Sequence, residues 1–159
     1  MCCDGTLFSR VKAAPDEEPG LAEIGFALAE IDGHQWFSQP CPMSNCGSCA
    51  IYESRPATCR RYRCDLLKAF EAAEIEYDEA VKKIASAKSL LAAVVADDPA
   101  ACQDRHRMDC WRKYADALAA GDAQERDEVG PKLLRVVALE SFLRRWFRNP
   151  DVPEDGVTR

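Results

Sequence analysis

The chain of 159 residues contains no apolar run near the roughly 20 residues that a membrane-spanning helix needs. Its longest apolar-rich stretch, Leu90 to Ala96, is far too short. No charged and then apolar leader precedes the first cysteines, because Met1 is followed directly by Cys2 and Cys3, so we expect neither membrane insertion nor export. A basic excess is missing too: the formal net charge of −6 argues against general nucleic-acid binding, which relies on a basic surface.

Sequence motifs that specify a reaction are also missing. The chain has no Gly-rich phosphate loop, no nucleophile elbow, no Ser-His-Asp set and no H-E-x-x-H motif. Whether the protein is an enzyme therefore stays undecided at the level of sequence.

Cysteine, in contrast, is abundant, with nine residues in the chain. In a reducing cytoplasm disulfides seldom persist, so such a concentration of thiols more often marks a metal site or a redox centre than a disulfide framework. We therefore predict a cytoplasmic protein whose cysteines bind a metal. Buried structural or reactive free thiols are the alternative.

Composition divides the chain into two regions and a tail. Residues 1–67 combine cysteine, proline and glycine with little helical periodicity, whereas residues 68–150 repeat apolar side chains every three to four positions. We predict a mostly α fold, in which a small irregular Cys-rich metal-binding region with a short β-hairpin precedes a bundle of three to four helices. Residues 151–159 are predicted to form a flexible tail.

In the first region, the segment Phe26 to Gln39 predicts the β-hairpin, because Asp32-Gly33 is a strong two-residue turn signal between apolar segments. The hairpin would deliver the chain to Cys41, whose flanking prolines restrict the backbone and suit a metal ligand. The acidic, proline-containing segment Lys12 to Gly20 is interpreted as a surface loop.

In the second region, signals for helix starts and ends position the helices. The predicted helices are about 65–75; Asp78 to Ala96, with Val81, Ile84, Leu91 and Val95 along one side; one opened by Asp98-Pro99 and ending near Gly121; and one from Asp122 to Asn149. Asp122 and Glu125 resemble a capping box, and Gly130-Pro131 is expected to interrupt or restart the last helix.

Seven cysteines are candidate metal ligands: Cys2, Cys3, Cys41, Cys46, Cys49, Cys59 and Cys64. The sharpest element is Cys46-Gly47-Ser48-Cys49, since a C-x-x-C turn lets two sulfurs converge on one ion at metal–sulfur distances of about 2.3 Å. Dithiol redox motifs share this turn, but the βαβ context of a thioredoxin-like motif is missing. Zinc and an iron-sulfur cluster are both candidate cofactors, because thiolates suit both.

A second metal site is a weaker hypothesis. Cys102, His106 and Cys110 recur at four-residue spacing, so on a helix they could share a metal. Core or boundary positions are the plainer interpretation, and Trp111 beside them favours it. His34, next to the predicted hairpin turn, is interpreted as an exposed turn residue.

Two groups of basic residues each have two interpretations. The first stands among the cysteines and comprises Arg55, Arg60, Arg61, Arg63 and Lys68. It is either a solvated basic face or a set of cations that balances thiolate charge. The second group comprises Arg144, Arg145, Trp146, Phe147 and Arg148. It is either charge balance at the end of the last helix or a partner surface.

The string CAIYESRPATCRRY, from Cys49 to Tyr62, follows an N-terminal CCDGTLF at residues 2–8. Together these segments resemble the YkgJ-type cysteine-cluster family, whose members are described as zinc- or iron-chelating domain proteins and sometimes as iron-sulfur oxidoreductases. The similarity covers about the first 67 residues, and its C-x-I-Y-E-x-R-P-x-x-C-R core is specific. Most members have no established biochemical activity.

The ligands that the resemblance implies are Cys3, Cys49 and Cys59, with Cys2 and one or both of Cys41 and Cys46. Cys64 matches a variant of the pattern. The family pattern opens C-x-x-C-x-x-x-C-C, whereas this chain starts at the final Cys-Cys. Either the cluster is reduced or Met1 lies inside a longer natural protein, and we favour the second interpretation because a chain terminus frays.

Two residues of the string have expected structural roles. Arg55 precedes Pro56 and should be extended, so its guanidinium is expected to reach carbonyl groups or a carboxylate such as that of Glu53. Tyr52 is expected to pack its ring in the small core.

Three functions are compatible with these patterns. The first is a cytoplasmic protein that holds zinc or an iron-sulfur cluster in its Cys region, with the helices as a supporting body or a surface for a protein partner. The second is an iron-sulfur redox or transfer enzyme. The third is a protein-interaction module in which zinc acts only as a folding staple.

Overall fold

The computed structural model describes residues 1–45, 48–102, 104–148 and 157–158. The chain divides into two compact units, Met1–Tyr62 with Val152–Arg159, and Arg63–Asp151. The division falls after residue 62, and the helix that starts at Asp65 contacts the next helix of the second unit. Of the predicted flexible tail, only Val157–Thr158 lies among the described residues, and it forms a strand.

The first unit consists of short elements around a four-stranded antiparallel sheet. Its elements are β1 (Arg10–Lys12), α1 (Glu18–Glu23), β2 (Leu28–Ile31), β3 (His34–Ser38), β4 (Ser44–Asn45), β5 (Ser48–Cys49), α2 (Ala57–Arg61) and β6 (Val157–Thr158). The strand order is β2-β3-β1-β6, and β4 pairs with β5 in a separate two-stranded sheet.

The predicted hairpin is confirmed. Strands β2 and β3 pair with Ile31 opposite His34, so Asp32 and Gly33 form the two-residue turn. Their φ values are +52° and +73°, and a type I′ turn requires such left-handed backbone at both positions. His34 is exposed, as predicted.

Alternation along the strands directs one face of the sheet into a small core. Val11 of β1 lies opposite Phe37 of β3, and both side chains are almost fully buried, whereas Arg10 and Lys12 are only half-buried. Phe26 packs edge-on against Phe37 with ring centroids 4.8 Å apart. This core is the base from which the cysteine-bearing loops extend.

The interpretation of Lys12 to Gly20 as a surface loop is wrong in part. Lys12 ends β1, and helix α1 starts at Glu18 with Pro19 in its first turn, where a missing N–H breaks no helical hydrogen bond. Leu21 of this helix is buried. A helix of six residues with one buried position is too short to show a periodic pattern in sequence.

The second unit is helical, and the fold is therefore mostly α, as predicted. Its elements are α3 (Asp65–Glu71), α4 (Tyr77–Asp97), a 3-10 helix (Pro99–Cys102), α5 (Asp104–Ala120) and α6 (Ala123–Trp146). Asp122 caps α6 as predicted, since its Oδ1 accepts a hydrogen bond from the Glu125 N–H at 2.9 Å. No helix within the described residues is both long and apolar enough to cross a membrane.

Two details of the predicted helices are wrong. Asp98-Pro99 opens the 3-10 helix rather than α5. Helix α6 also runs without a break through Pro131. The buried Val136, Leu139 and Leu143 pack the rest of α6 into the core, and such packing can outweigh the roughly 3 kcal/mol that an interior proline costs.

Helix α4 buries some of its apolar residues and leaves others partly exposed. Ala87 and Val94 are buried, whereas Val81 and Ile84 are 44% and 37% exposed. The apolar stripe near the start of α4 therefore faces solvent in part.

An ion-pair cluster lies inside the helical unit. Arg107 of α5 is fully buried, and its Nε donates to Glu140 Oε1 at 2.9 Å while its Nη1 donates to the Cys102 carbonyl at 2.9 Å. Arg148 Nη1 donates to the other oxygen of Glu140 at 2.7 Å. Burial raises the pKa of Glu140, but the charges and hydrogen bonds of Arg148 and Arg107 outweigh it, so the pKa of that carboxyl lies below its usual value.

Candidate metal centre

Cys3 and Cys41 are brought together by backbone hydrogen bonds. The Cys41 N–H donates to the Cys3 carbonyl at 2.7 Å, and the Gln39 N–H donates to the Ser9 carbonyl at 2.9 Å just before it. The bond from Gln39 to Ser9 continues the pairing of β1 with β3 by one residue, whereas the bond from Cys41 to Cys3 lies outside that register and is a separate contact. The end of the hairpin thus places the backbone of Cys41 next to that of Cys3.

Cys49 is linked to Cys41 through a turn and a two-stranded ladder. The Ser44 N–H donates to the Cys41 carbonyl at 3.0 Å, and Ser44 of β4 lies opposite Cys49 of β5. The Ala50 N–H donates to the Met43 carbonyl at 2.8 Å and extends the ladder. Cys46 and Gly47, half of the predicted C-x-x-C turn, lie outside the described residues.

Cys59 is carried by helix α2, which two long-range contacts anchor. The buried hydroxyl of Thr58 donates to the Lys12 carbonyl of β1 at 2.9 Å. The Ala57 N–H, at the first turn of the helix, donates to both carboxylate oxygens of Glu17, at 2.9 and 3.1 Å. Glu17 therefore caps α2 from a distant part of the chain, a role that no local sequence signal reveals.

The sulfurs of Cys3, Cys41, Cys49 and Cys59 act on one another electrostatically. Burial raises the pKa of Cys3, and Cys41 and Cys49 raise it further. Burial raises the pKa of Cys59 to about 12, with additional increases from Cys3, Cys41 and Cys49. Cys49 likewise adds to the effect of burial on the pKa of Cys41. Each of these four sulfurs, the four-thiol set, lies within electrostatic range of the other three.

The four-thiol set is not preassembled as a closed site. Within residues 1–45, 48–102 and 104–148, no three Cys, His, Asp or Glu side chains converge closely enough to hold one ion. The donors are nonetheless of one chemical kind, and thiolates are the ligands that zinc and iron-sulfur clusters take. The residues therefore fit such a group in chemistry.

Arg55 adds a cation beside the four-thiol set. Its guanidinium lies over the Tyr52 ring, 3.9 Å from the ring centroid, and its charge lowers the pKa of Cys59 against the larger effect of burial. Tyr52 is 58% exposed, so the expectation that its ring packs in the core is wrong. The guanidinium of Arg55 makes a cation–π contact with this exposed ring, whereas the sequence predicted contacts with carbonyl groups or with a carboxylate such as that of Glu53.

Three other basic residues that stand among the cysteines form ion pairs with carboxylates. Arg60 pairs with Glu17 at 3.4 Å, Arg63 with Glu71 at 3.2 Å and Lys68 with Asp65 at 2.9 Å. The side chains of Arg60, Arg63 and Lys68 are 49%, 43% and 50% exposed, as those of a solvated basic face would be.

The two remaining cysteines among the predicted ligands differ in position. Cys2 is half-buried beside Cys3. Cys64 belongs to the second unit, where it stands at the N-cap position of α3, and burial raises its pKa.

The residues of the second predicted metal site do not form one set. Cys102 lies in the 3-10 helix outside α5, so the helical spacing on which the hypothesis depended does not apply. His106 is exposed, whereas Cys110 is buried with its Sγ donating to Asp98 Oδ2 at 3.3 Å. Burial and this hydrogen bond raise the pKa of Cys110 to about 11. These contacts agree with the core or boundary interpretation.

Comparisons with models of known protein families, with curated proteins and with solved structures found no match for this chain. The resemblance to the YkgJ-type family therefore stays a prediction from the cysteine motif.

Proposed function

We propose that the first unit binds zinc or an iron-sulfur cluster through Cys3, Cys41, Cys49 and Cys59. The observation that supports the proposal is the meeting of three separate chain segments around one group of four thiols. A backbone hydrogen bond joins the segment of Cys3 to that of Cys41, and the pairing of β4 with β5 connects Cys41 to Cys49. The hydrogen bond from α2 to β1 positions the segment of Cys59.

The chain's own part in such a centre is to present the sulfurs and to limit their access to water. Zinc in a closed site of four thiolates would stabilise the fold, whereas an iron-sulfur cluster would supply one-electron chemistry. Arg55 would partly balance the negative charge of the thiolates, because its charge already acts on Cys59.

Purification without oxygen, followed by metal analysis and a visible absorption spectrum, tests the proposal. A colourless protein with stoichiometric zinc supports a structural zinc site, and broad visible absorption with iron and sulfide supports a cluster. Serine substitution of Cys3, Cys41, Cys49 or Cys59 should remove most of the bound metal, because each would supply one ligand.

Cys102→Ser is the matched control, since Cys102 lies in the other unit and should leave the metal content unchanged. Cys64→Ser separates the four-thiol set from the wider set that the family resemblance implies. Cys46→Ser tests the residue that lies outside the described part of the chain. A wild-type protein that takes up neither metal, even after reconstitution, would contradict the proposal.

We also propose a reducing, cytoplasmic setting. Thiolate ligands must stay reduced, and cytoplasmic conditions keep them so. Among the described cysteines none forms a disulfide with another. Fractionation of cells that express the natural protein would test this, and recovery from an oxidising compartment would contradict it.

A further inference from the structure

The helical unit exposes an acidic segment that its own cations neutralise only in part. Between Lys68 and Lys82 the chain has no Lys or Arg, and its exposed carboxylates are Glu71, Glu74, Glu76, Asp78 and Glu79. Glu71 pairs with Arg63 and Glu79 with Lys83. Within the described residues, the other three carboxylates take part in no ion pair.

Apolar side chains accompany these carboxylates. Phe70 at the end of α3 and Tyr77 at the start of α4 are 41% and 67% exposed, and their ring centroids lie 6.3 Å apart. Val81 and Ile84 continue on the same side of α4, four and seven positions after Tyr77. Exposed apolar surface rimmed by charge is typical of an interaction site. The acidic face is defined here as Phe70, Glu74, Glu76, Tyr77, Asp78, Val81 and Ile84.

Two exposed cations stand at the end of α6. Arg144 and Arg145 form no ion pair in the part of the chain that the structure describes, and Arg145 lies 5.2 Å from the centroid of the Trp146 ring. The helix dipole favours cations at the end of a helix. Both side chains are nevertheless exposed to solvent. We call these two residues at the end of α6, Arg144 and Arg145, the basic end.

The acidic face and the basic end adjoin on one end of the helical unit. Lys83 of α4 lies over the Trp146 ring of α6, 4.0 Å from its centroid, while Arg135 of α6 pairs with Asp97 at the other end of α4 at 2.6 Å. Helices α4 and α6 are therefore antiparallel neighbours. The last turn of α6 lies beside the first turns of α4, which carry most of the acidic face.

We propose that the helical unit forms a two-fold dimer in which the acidic face of each copy meets the basic end of its partner. A two-fold interface uses one surface twice and must be complementary to itself. The acidic face and the basic end meet this requirement because they adjoin on each copy. One two-fold rotation then brings the acidic face of each copy against the basic end of the other. Tyr77 and Val81 would lose their solvent contact in the same interface.

Charge reversal on the full-length protein tests the dimer by sedimentation equilibrium. The variant Arg144→Glu/Arg145→Glu and the variant Glu74→Arg/Glu76→Arg should each weaken dimerisation by about tenfold or more, because each places like charges opposite one another. An equimolar mixture of the two variants should restore dimers of mixed composition. The variant with all four changes should dimerise with itself.

Matched controls are Asp116→Arg and Lys113→Glu on α5, exposed charges outside both patches, which should leave dimerisation unchanged. Circular dichroism verifies that each variant keeps its helices. A wild-type protein that stays monomeric at all concentrations would overturn the proposal. Dimers that tolerate both reversals, or a mixture of variants that fails to associate, would overturn it equally.

Discussion

The two units of this chain obtain their structure by different means. The first consists of short elements that depend on a few bonds between distant segments, such as those from Cys41 to Cys3 and from Thr58 to Lys12. The second consists of longer helices that bury Val94, Leu139 and the Arg107 ion-pair cluster. The first unit is the smaller one and has the shorter elements, and small regions of this kind gain the most from a metal, whereas the longer helices are stabilised by packing against one another.

The largest expected effect is the loss of metal from the first unit. In zinc-finger peptides the metal supplies about 10–16 kcal/mol of folding free energy. If the proposed centre is present, a chelator should unfold the first unit and leave the helical unit folded. Amide NMR signals of the sheet around Val11 and Phe37 would disappear, while the helical circular dichroism would persist. Unchanged sheet signals after complete metal removal would contradict this difference between the units.

Arg107→Met should have the next largest effect, on the other unit. It leaves Glu140 buried with one of its two cations, and breaking a buried ion pair in this way costs about 3–5 kcal/mol. Urea unfolding followed by helical circular dichroism measures the loss. Arg112→Met on the same helix is the control, since Arg112 is 66% exposed and should cost little. Equal stability of the two variants would show that the buried cluster contributes nothing.

Glu17→Ala should weaken only the first unit. It removes the cap of α2 and the ion pair with Arg60, and loss of a helix cap costs about 1 kcal/mol. The midpoint of unfolding of the first unit should fall, and metal affinity should fall with it if Cys59 is a ligand. Asp16→Ala changes an exposed carboxylate next to Glu17 and should have no effect on either quantity.

The smallest effect should come from pH, through Glu140. Its pKa is lowered in the folded state by Arg148 and Arg107 despite burial, so its contribution to stability is present above the unfolded pKa. That contribution is lost as pH falls through the folded pKa. Urea unfolding of the helical unit across the acidic range should therefore show a slope that Glu140→Gln reduces. An identical slope in wild type and variant would rule out this origin.

Local signals predicted most of the secondary structure. Asp32-Gly33 identified the hairpin because its turn depends only on backbone conformation at two residues, and Asp122 identified the start of α6 because a cap bonds its own first turn. The prediction failed at Pro131, where the packing of α6 outweighs the local preference of proline.

The sequence alone identified the cysteines as candidate metal ligands, but it could not predict which of them lie close together in the fold. Spacing joined Cys46 to Cys49, but it could not relate Cys3 to Cys59. It also gave Tyr52 a core position that the structure replaces with an exposed cation–π contact.

By itself, the sequence determined the residue types and the local elements of this protein: a cysteine-rich start, a hairpin turn and a series of helices. These depend on interactions within a few positions along the chain. Only the tertiary structure decided that Glu17 caps the helix of Cys59, that Arg107 is buried with Glu140, and that four thiols share one neighbourhood. Such contacts join residues far apart in sequence, and their energy depends on burial and distance, which a linear pattern does not contain.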